Sequence, residues 1–159
     1  MGYLVEEKID KDFTGYGTHT KERHFPKGND DGTDAVNTRT YKGEYKNGKE
    51  HGIGMYSWST GPKCVGEFVD DKVTGVAIKK WGGNIDETYA GEYKNDRRDG
   101  VGIYVWKKTG IKYVGEFKNN EAEGFGCFIY PDGKRFIGQV SHEPTEEGTW
   151  YDRNSKQIT

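Results

Sequence analysis

Leucine is almost missing from this chain. Leu4 is the whole complement in 159 residues, and hydrophobic residues of all kinds make up 31% of the sequence. Mean hydropathy is −1.01. A thick core between two layers of structure needs more aliphatic material than that. Long apolar runs are missing too: nothing approaches the roughly 20 residues of a membrane-spanning helix, and the N-terminus lacks the apolar stretch of a signal peptide. Cysteine is limited to Cys64 and Cys127, without metal-like spacing, which leads us to expect a reducing, cytoplasmic setting. No charge dominates either, since 24 Lys and Arg face 26 Asp and Glu for a net −2. That balance favours neither nucleic acid nor an anionic surface.

What replaces leucine is glycine, at 24 residues, and aromatic side chains at 14%. Disordered chains are poor in aromatics, and here the rings recur in phase, so disorder is expected at most in residues 20 to 40. Five steps of four residues carry the phase: Tyr41-Lys42-Gly43-Glu44, Cys64-Val65-Gly66-Glu67, Tyr89-Ala90-Gly91-Glu92, Tyr113-Val114-Gly115-Glu116 and Phe136-Ile137-Gly138-Gln139. Their glycines are 23, 25, 24 and 23 residues apart. Such a period marks a stacked array whose units bury their apolar side against neighbours. A second glycine column runs in step: Gly52/Gly54, Gly75 with Ala77, Gly100/Gly102, Gly124/Gly126, and Gly148 with Trp150.

The pattern resembles the MORN (membrane occupation and recognition nexus) repeat, an aromatic, any residue, Gly-Glu, a turn, then Gly-x-Gly. Residues 41–54, 89–102 and 113–126 follow it closely. Unit two departs from it: Cys64 opens it, Ala77 holds a glycine position, and Lys79 stands where Tyr56, Tyr104 and Phe128 stand elsewhere. Unit five reads as a terminating cap, with a turn lengthened through Pro144 and Trp150 at a glycine position. Tyr3-Leu4-Val5-Glu6, 12 residues before Gly15-Tyr16-Gly17, reads as a worn first copy. The organisation is then a degenerate first repeat plus an inserted loop through Pro26, Gly28, Gly32 and Asn37 (1–40), four regular repeats and the start of a fifth (41–140), and a terminal half-repeat cap (141–159).

Alternation along a strand puts Tyr41, Gly43 and Tyr45 on one face and Lys42, Glu44 and Lys46 on the other. Lys46 to His51 supplies turn formers, so each unit reads as a β-hairpin. The expected fold is all-β: an elongated single-layer antiparallel sheet of successive hairpins. Glycine weakens strands, so its column needs a compensating contact. We expect Tyr41, Tyr45, Tyr56 and Trp58 to lie down over glycines. The reverse face carries an aliphatic stripe, including Ile53, Met55, Val76, Ile78, Val101 and Ile103, beside a column of Glu44, Glu67, Glu92, Glu116 and Gln139. The stripe is either a docking surface or is covered by curvature and the stems of Lys42, Lys94 and Lys118.

No catalytic constellation emerges. His19, His24, His51 and His142 are scattered, and no Ser or Cys nucleophile sits in a motif. His51, a position where MORN repeats often carry histidine, reads as a turn residue. The glycine doublets lack the Lys-Ser or Lys-Thr and the helix of a phosphate loop, and the glutamates repeat as a solvated ladder. No cofactor or metal is expected, and function comes from binding. The resemblance implies a scaffold or adaptor for protein partners in a cytoskeletal or axonemal assembly of the radial-spoke type. Candidate partner-binding residues are Tyr56, Trp58, Tyr104, Trp106, Phe128 and Tyr130. The family name points to an alternative, peripheral binding of membrane phosphoinositide, for which Arg97, Arg98, Lys107, Lys108 and Lys112 are the candidates. Repeats of this kind also accompany enzymes, so an accessory role beside an enzyme on another chain is a further alternative. Terminal strand edges offer a route to self-association.

Overall fold

A computed structural model describes residues 3–6, 9–25, 35–83 and 85–158. All regular structure in it is strand: β1 (Tyr3–Glu6), β2 (Gly15–Phe25), β3 (Ala35–Lys46), β4 (Lys49–Trp58), β5 (Lys63–Val69), β6 (Lys72–Trp81), β7 (Glu87–Lys94), β8 (Arg97–Trp106), β9 (Ile111–Lys118), β10 (Glu121–Ile129), β11 (Arg135–Ser141), β12 (Glu143–Tyr151) and β13 (Gln157–Ile158). They form one antiparallel sheet of 13 strands in chain order. The expected single layer of hairpins is what the chain builds.

Four hairpins turn on two residues, both with positive φ: Asn47-Gly48, Asp70-Asp71, Asn95-Asp96 and Asn119-Asn120. This is the mirror-image turn whose twist matches that of the strands. The turn expected over Lys46 to His51 thus shrinks to its centre, and the flanking residues join the ladder. Residues 20–25 and 35–40, where disorder was expected, are paired strand in β2 and β3, and Asn37 lies within that pairing. Pro26, Gly28 and Gly32 lie outside the described residues. β1 pairs Tyr3 with His24, whereas an opening residue in the regular units faces the residue two after its second glycine, as Tyr41 faces Tyr56.

Inside each unit the register slips. Gly115 faces Gly126 and Phe117 faces Ala122, leaving Glu123, Gly124 and Phe125 opposite Glu116. The bulge bends the backbone into left-handed territory at Gly52, Gly75, Gly100 and Gly124, with φ of 59°, 85°, 109° and 111°, which glycine adopts without steric cost. The glutamate column caps these bulges. Glu44, Glu67, Glu92 and Glu116 each accept a hydrogen bond from the backbone N–H just past the bulge glycine, at Ile53, Val76, Val101 and Phe125, over 2.7–3.3 Å. The solvated ladder is corrected accordingly: the carboxylates are exposed, but each is tied to its own hairpin.

Second-column glycines hold the core. A Cβ added to Gly102 would stand 2.5 Å from Cζ of Tyr89, because that ring lies flat across the strand and its hydroxyl donates to the Glu92 carbonyl (3.0 Å). Tyr113 lies over Gly126 and Tyr41 over Gly54 in the same way, and Phe136 covers Gly148. Tyr45 reaches over Gly17. Tyr56 and Trp58 do not lie on glycine, because cross-strand register sets Tyr56 against Tyr41 and Cys64 and Trp58 against Arg39. The rings lock edge to face, as in Tyr89 on Phe117 (4.9 Å) and Tyr41 on Phe68 (5.1 Å). Such pairs add roughly 0.5–1.5 kcal/mol beyond area.

The fifth unit is phased differently from expectation. Gly138 faces Gly148 and Phe136 faces Trp150, so Gly148 is the second glycine, Glu146 stands in the bulge-glycine position, and Trp150 takes the place of Phe128. Its turn is shorter, not longer: Ser141 pairs with Glu143 around His142 alone.

Neighbouring hairpins are also laced together at their tips. The second turn residue donates its N–H to the preceding unit and accepts from that unit's N–H through its side chain. Asp71 does so with Glu50, Asp96 with Val73 and Asn120 with Arg98, over 2.9–3.0 Å. His142 donates its N–H to the Ala122 carbonyl in the same manner.

Candidate partner-binding surface

The sheet presents two unlike faces. On the aromatic face, Tyr56, Tyr104 and Phe128 are buried, while Trp58, Trp106 and Tyr130 are half-exposed beside them. Three of the six candidate residues are therefore core, and three form its open margin. Trp81 and Trp150 belong to the same aromatic array and are not among the six candidates; Trp81 follows Lys79 by two, as Trp58 follows Tyr56 and Trp106 follows Tyr104. Trp106 and Phe128 lie nearly parallel (18°, centroids 6.2 Å), and Tyr130 leans on Trp150 at 5.6 Å. A groove of about 490 Å³ is lined by Trp106, Phe128, Tyr130, Glu143 and Pro144, with Thr109 and Ile111. Burial, with Glu143 nearby, raises the Tyr130 phenol above its ordinary range.

Basic side chains occupy other rings of this face. The Arg39 guanidinium sits 4.5 Å over Tyr56 and is held by a bidentate pair with buried Glu50. Lys79 stands 5.2 Å from the Trp81 ring, and burial lowers its pKa. Arg98 stands 4.8 Å over Tyr104 and donates to the Asn120 carbonyl at 2.6 Å. Cys64 is fully buried next to Lys79, and burial pushes its thiol up to about 11. It stays protonated at neutral pH and is a packing residue, not a nucleophile.

On the reverse face the register aligns side chains into rows across the strands. Met55, Val65, Ile78, Ala90, Ile103, Val114, Cys127 and Ile137 follow one another by direct cross-strand pairing. The row crosses eight strands, about 34 Å at the usual strand spacing. A second row alternates Ile53, Val76, Val101 and Phe125 with the capping glutamates and, last, Gln139. Those four apolar residues are 56–59% exposed, so neither curvature nor lysine stems cover the stripe. On the other side of the apolar row, Lys63, Lys80, Lys112 and Arg135 fall in a third row.

The five basic candidates do not gather. Arg97 is at the hairpin tip, bonded to Asn119, and Arg98 is on the aromatic face. Lys107 and Lys108 lie at the far end of β8, where Lys107 pairs with Asp86 at 2.8 Å. Lys112 alone stands in the basic row. His51 is in β4, and no group of three or more His, Cys, Asp or Glu converges among the described residues.

Residues 41–63, 89–110 and 113–135 each match the family model described as the MORN repeat. The chain carries MORN repeats at these three places. MORN repeats are non-catalytic modules engaged in protein and membrane interactions. The three matches leave out the hairpin of Cys64, Ala77 and Lys79 and the re-phased fifth unit, yet both continue the MORN sheet without a break. No curated protein matches the chain.

Proposed function

We propose that this MORN chain is a non-catalytic scaffold that holds protein partners within a larger cytoplasmic assembly, cytoskeletal or axonemal in kind. The reading rests on one observation, the uncovered aliphatic row from Met55 to Ile137 on the reverse face. Scattered apolar residues on a surface are ordinary, whereas a contiguous row marks a contact surface. A helix of about 22 residues would span it. The axonemal part is supported by resemblance alone, because MORN proteins occur as scaffold components of cilia and flagella, radial spokes among them.

The test is purification of the tagged chain from its native source, beside a variant carrying Ile78→Asp and Ile103→Asp. Both positions are exposed, so the melting temperature should hold while the co-purifying assembly is lost. Retention of that assembly by the variant would end the reading, and diffuse distribution in ciliated cells would end its axonemal part.

A second reading, peripheral membrane binding, draws support from the basic row beside the apolar one. Near an anionic surface such residues contribute about 1 kcal/mol each, offset here by the glutamate row. Co-sedimentation with anionic vesicles at physiological salt decides: retention abolished by Lys80→Glu with Lys112→Glu would favour lipid.

A further inference from the structure

Along the aromatic face the chain supplies its own cations to its rings: Arg39 to Tyr56, Lys79 to Trp81, Arg98 to Tyr104. One step further the rings continue as Trp106, Phe128, Tyr130 and Trp150, and among the described residues no cation stands over them. Instead the groove between them carries a carboxylate. Glu143 lines it, and its carboxylate has no hydrogen bond or ion pair among the described residues. Ring faces attract cations, and more strongly where water is partly excluded. A neighbouring carboxylate adds charge of the required sign.

We propose that this groove receives a cationic side chain, guanidinium or methylated ammonium, presented by a partner protein. The inference rests on the scaffold reading for the nature of the partner. Two observations favour a protein side chain over a lipid choline group. The equivalent platforms are occupied by the heads of Arg and Lys side chains, and a partner's side chain can bring the same head to these rings. The groove, at about 490 Å³, also exceeds the size of one ammonium and leaves room, beside Thr109 and Ile111, for a stem.

The experiment titrates the full chain with a capped peptide holding one arginine between glycines, followed by the indole N–H signals of its tryptophans in NMR. Parallel titrations use the citrulline peptide, which keeps shape and loses charge, the trimethyl-lysine and norleucine pair, and phosphocholine. We expect the Trp106 signal to move with the cationic peptides while Trp58 and Trp81 stay still, and neutral counterparts to bind roughly threefold to tenfold more weakly. Glu143→Gln, an exposed change without a bond to lose, should weaken the cationic peptides by a similar factor and leave the other signals in place. Equal binding of citrulline and arginine peptides, movement of all tryptophans alike, or an unchanged affinity in Glu143→Gln would overturn the site. Phosphocholine moving Trp106 where peptides do not would overturn its protein partner. If the unaltered chain recovers the native assembly in full while none of the peptides binds it, the cage is lost and the scaffold reading stands. Loss of that assembly in the Ile78→Asp, Ile103→Asp variant tests the latter independently.

Discussion

The hairpin of β5 and β6 and the hairpin of β7 and β8 share a frame and differ in what fills it. Both turn on two residues of positive φ, both bulge at a glycine, and both cap the bulge with a glutamate, Glu67 or Glu92. In the second hairpin Tyr89 lies over Gly102. In the first the same two positions hold Cys64 and Ala77. The departures are one exchange: without a ring to lie on the strand, a methyl group is admissible at the second glycine position and fills part of the space. Cys64 and Tyr89 are equally buried, and the stem of Lys79 stands where Tyr104 stands in its neighbour. Filled volume is common to both hairpins, while the residues that fill it differ.

The most severe way to set the two apart is alkali. Burial pushes the phenols of Tyr89, Tyr104 and Tyr113 up to about 12, against an ordinary value of 10.0. The unfolded chain ionises them near pH 10 and the fold does not, so their contribution is whole below pH 10 and is lost as pH rises toward 12. Tyrosinate absorbance should rise together with loss of the strand signal in circular dichroism; absorbance rising first over an intact sheet would refute tight burial.

Next in size, Gly102→Val forces the Tyr89 ring out of place and should cost about 3 kcal/mol in urea unfolding. An unchanged melting temperature would contradict the ring-on-glycine packing. Gly102→Ala should cost about 2 kcal/mol alone, and combined with Tyr89→Cys it rebuilds the pair of the neighbouring hairpin. The double variant should then lose about 1 kcal/mol less than the sum of the single ones; strict additivity would show that the exchange is not coupled. Glu92→Ala and Glu67→Ala should each cost about 1 kcal/mol by freeing the same backbone N–H, and unequal values would mean the two frames differ after all. Smallest is Ala77→Gly, at about 0.5–1 kcal/mol, readable as a slight shift in melting temperature.

Period and alternation were enough to read the single sheet and the flat rings, since both depend on residues within one unit. Contacts made only when units stack were not legible. Asp and Asn are ordinary turn residues, and nothing local shows that Asp71, Asp96 and Asn120 each also bond to a hairpin 21 to 23 residues earlier. In unit five, spacing alone sets Gly148 and Trp150 as the doublet, and only cross-strand pairing with Gly138 and Phe136 shows Gly148 to be its second glycine. Of the candidate site, Trp106 and Tyr130 were visible as rings at fixed offsets. Glu143, brought beside them from the next hairpin, and the cations resting on other rings depend on side-chain reach across strands.

The lacing at the tips reaches back by one period each time. Were residues 89–112 cut out, Tyr113 would fall where Tyr89 stood and Asn120 would meet Val73 with the same donor and acceptor that Asp96 offers now. The chain is built like a watch strap, whose links can be removed or added without redesigning the clasp, and its length is free to follow whatever span it has to bridge.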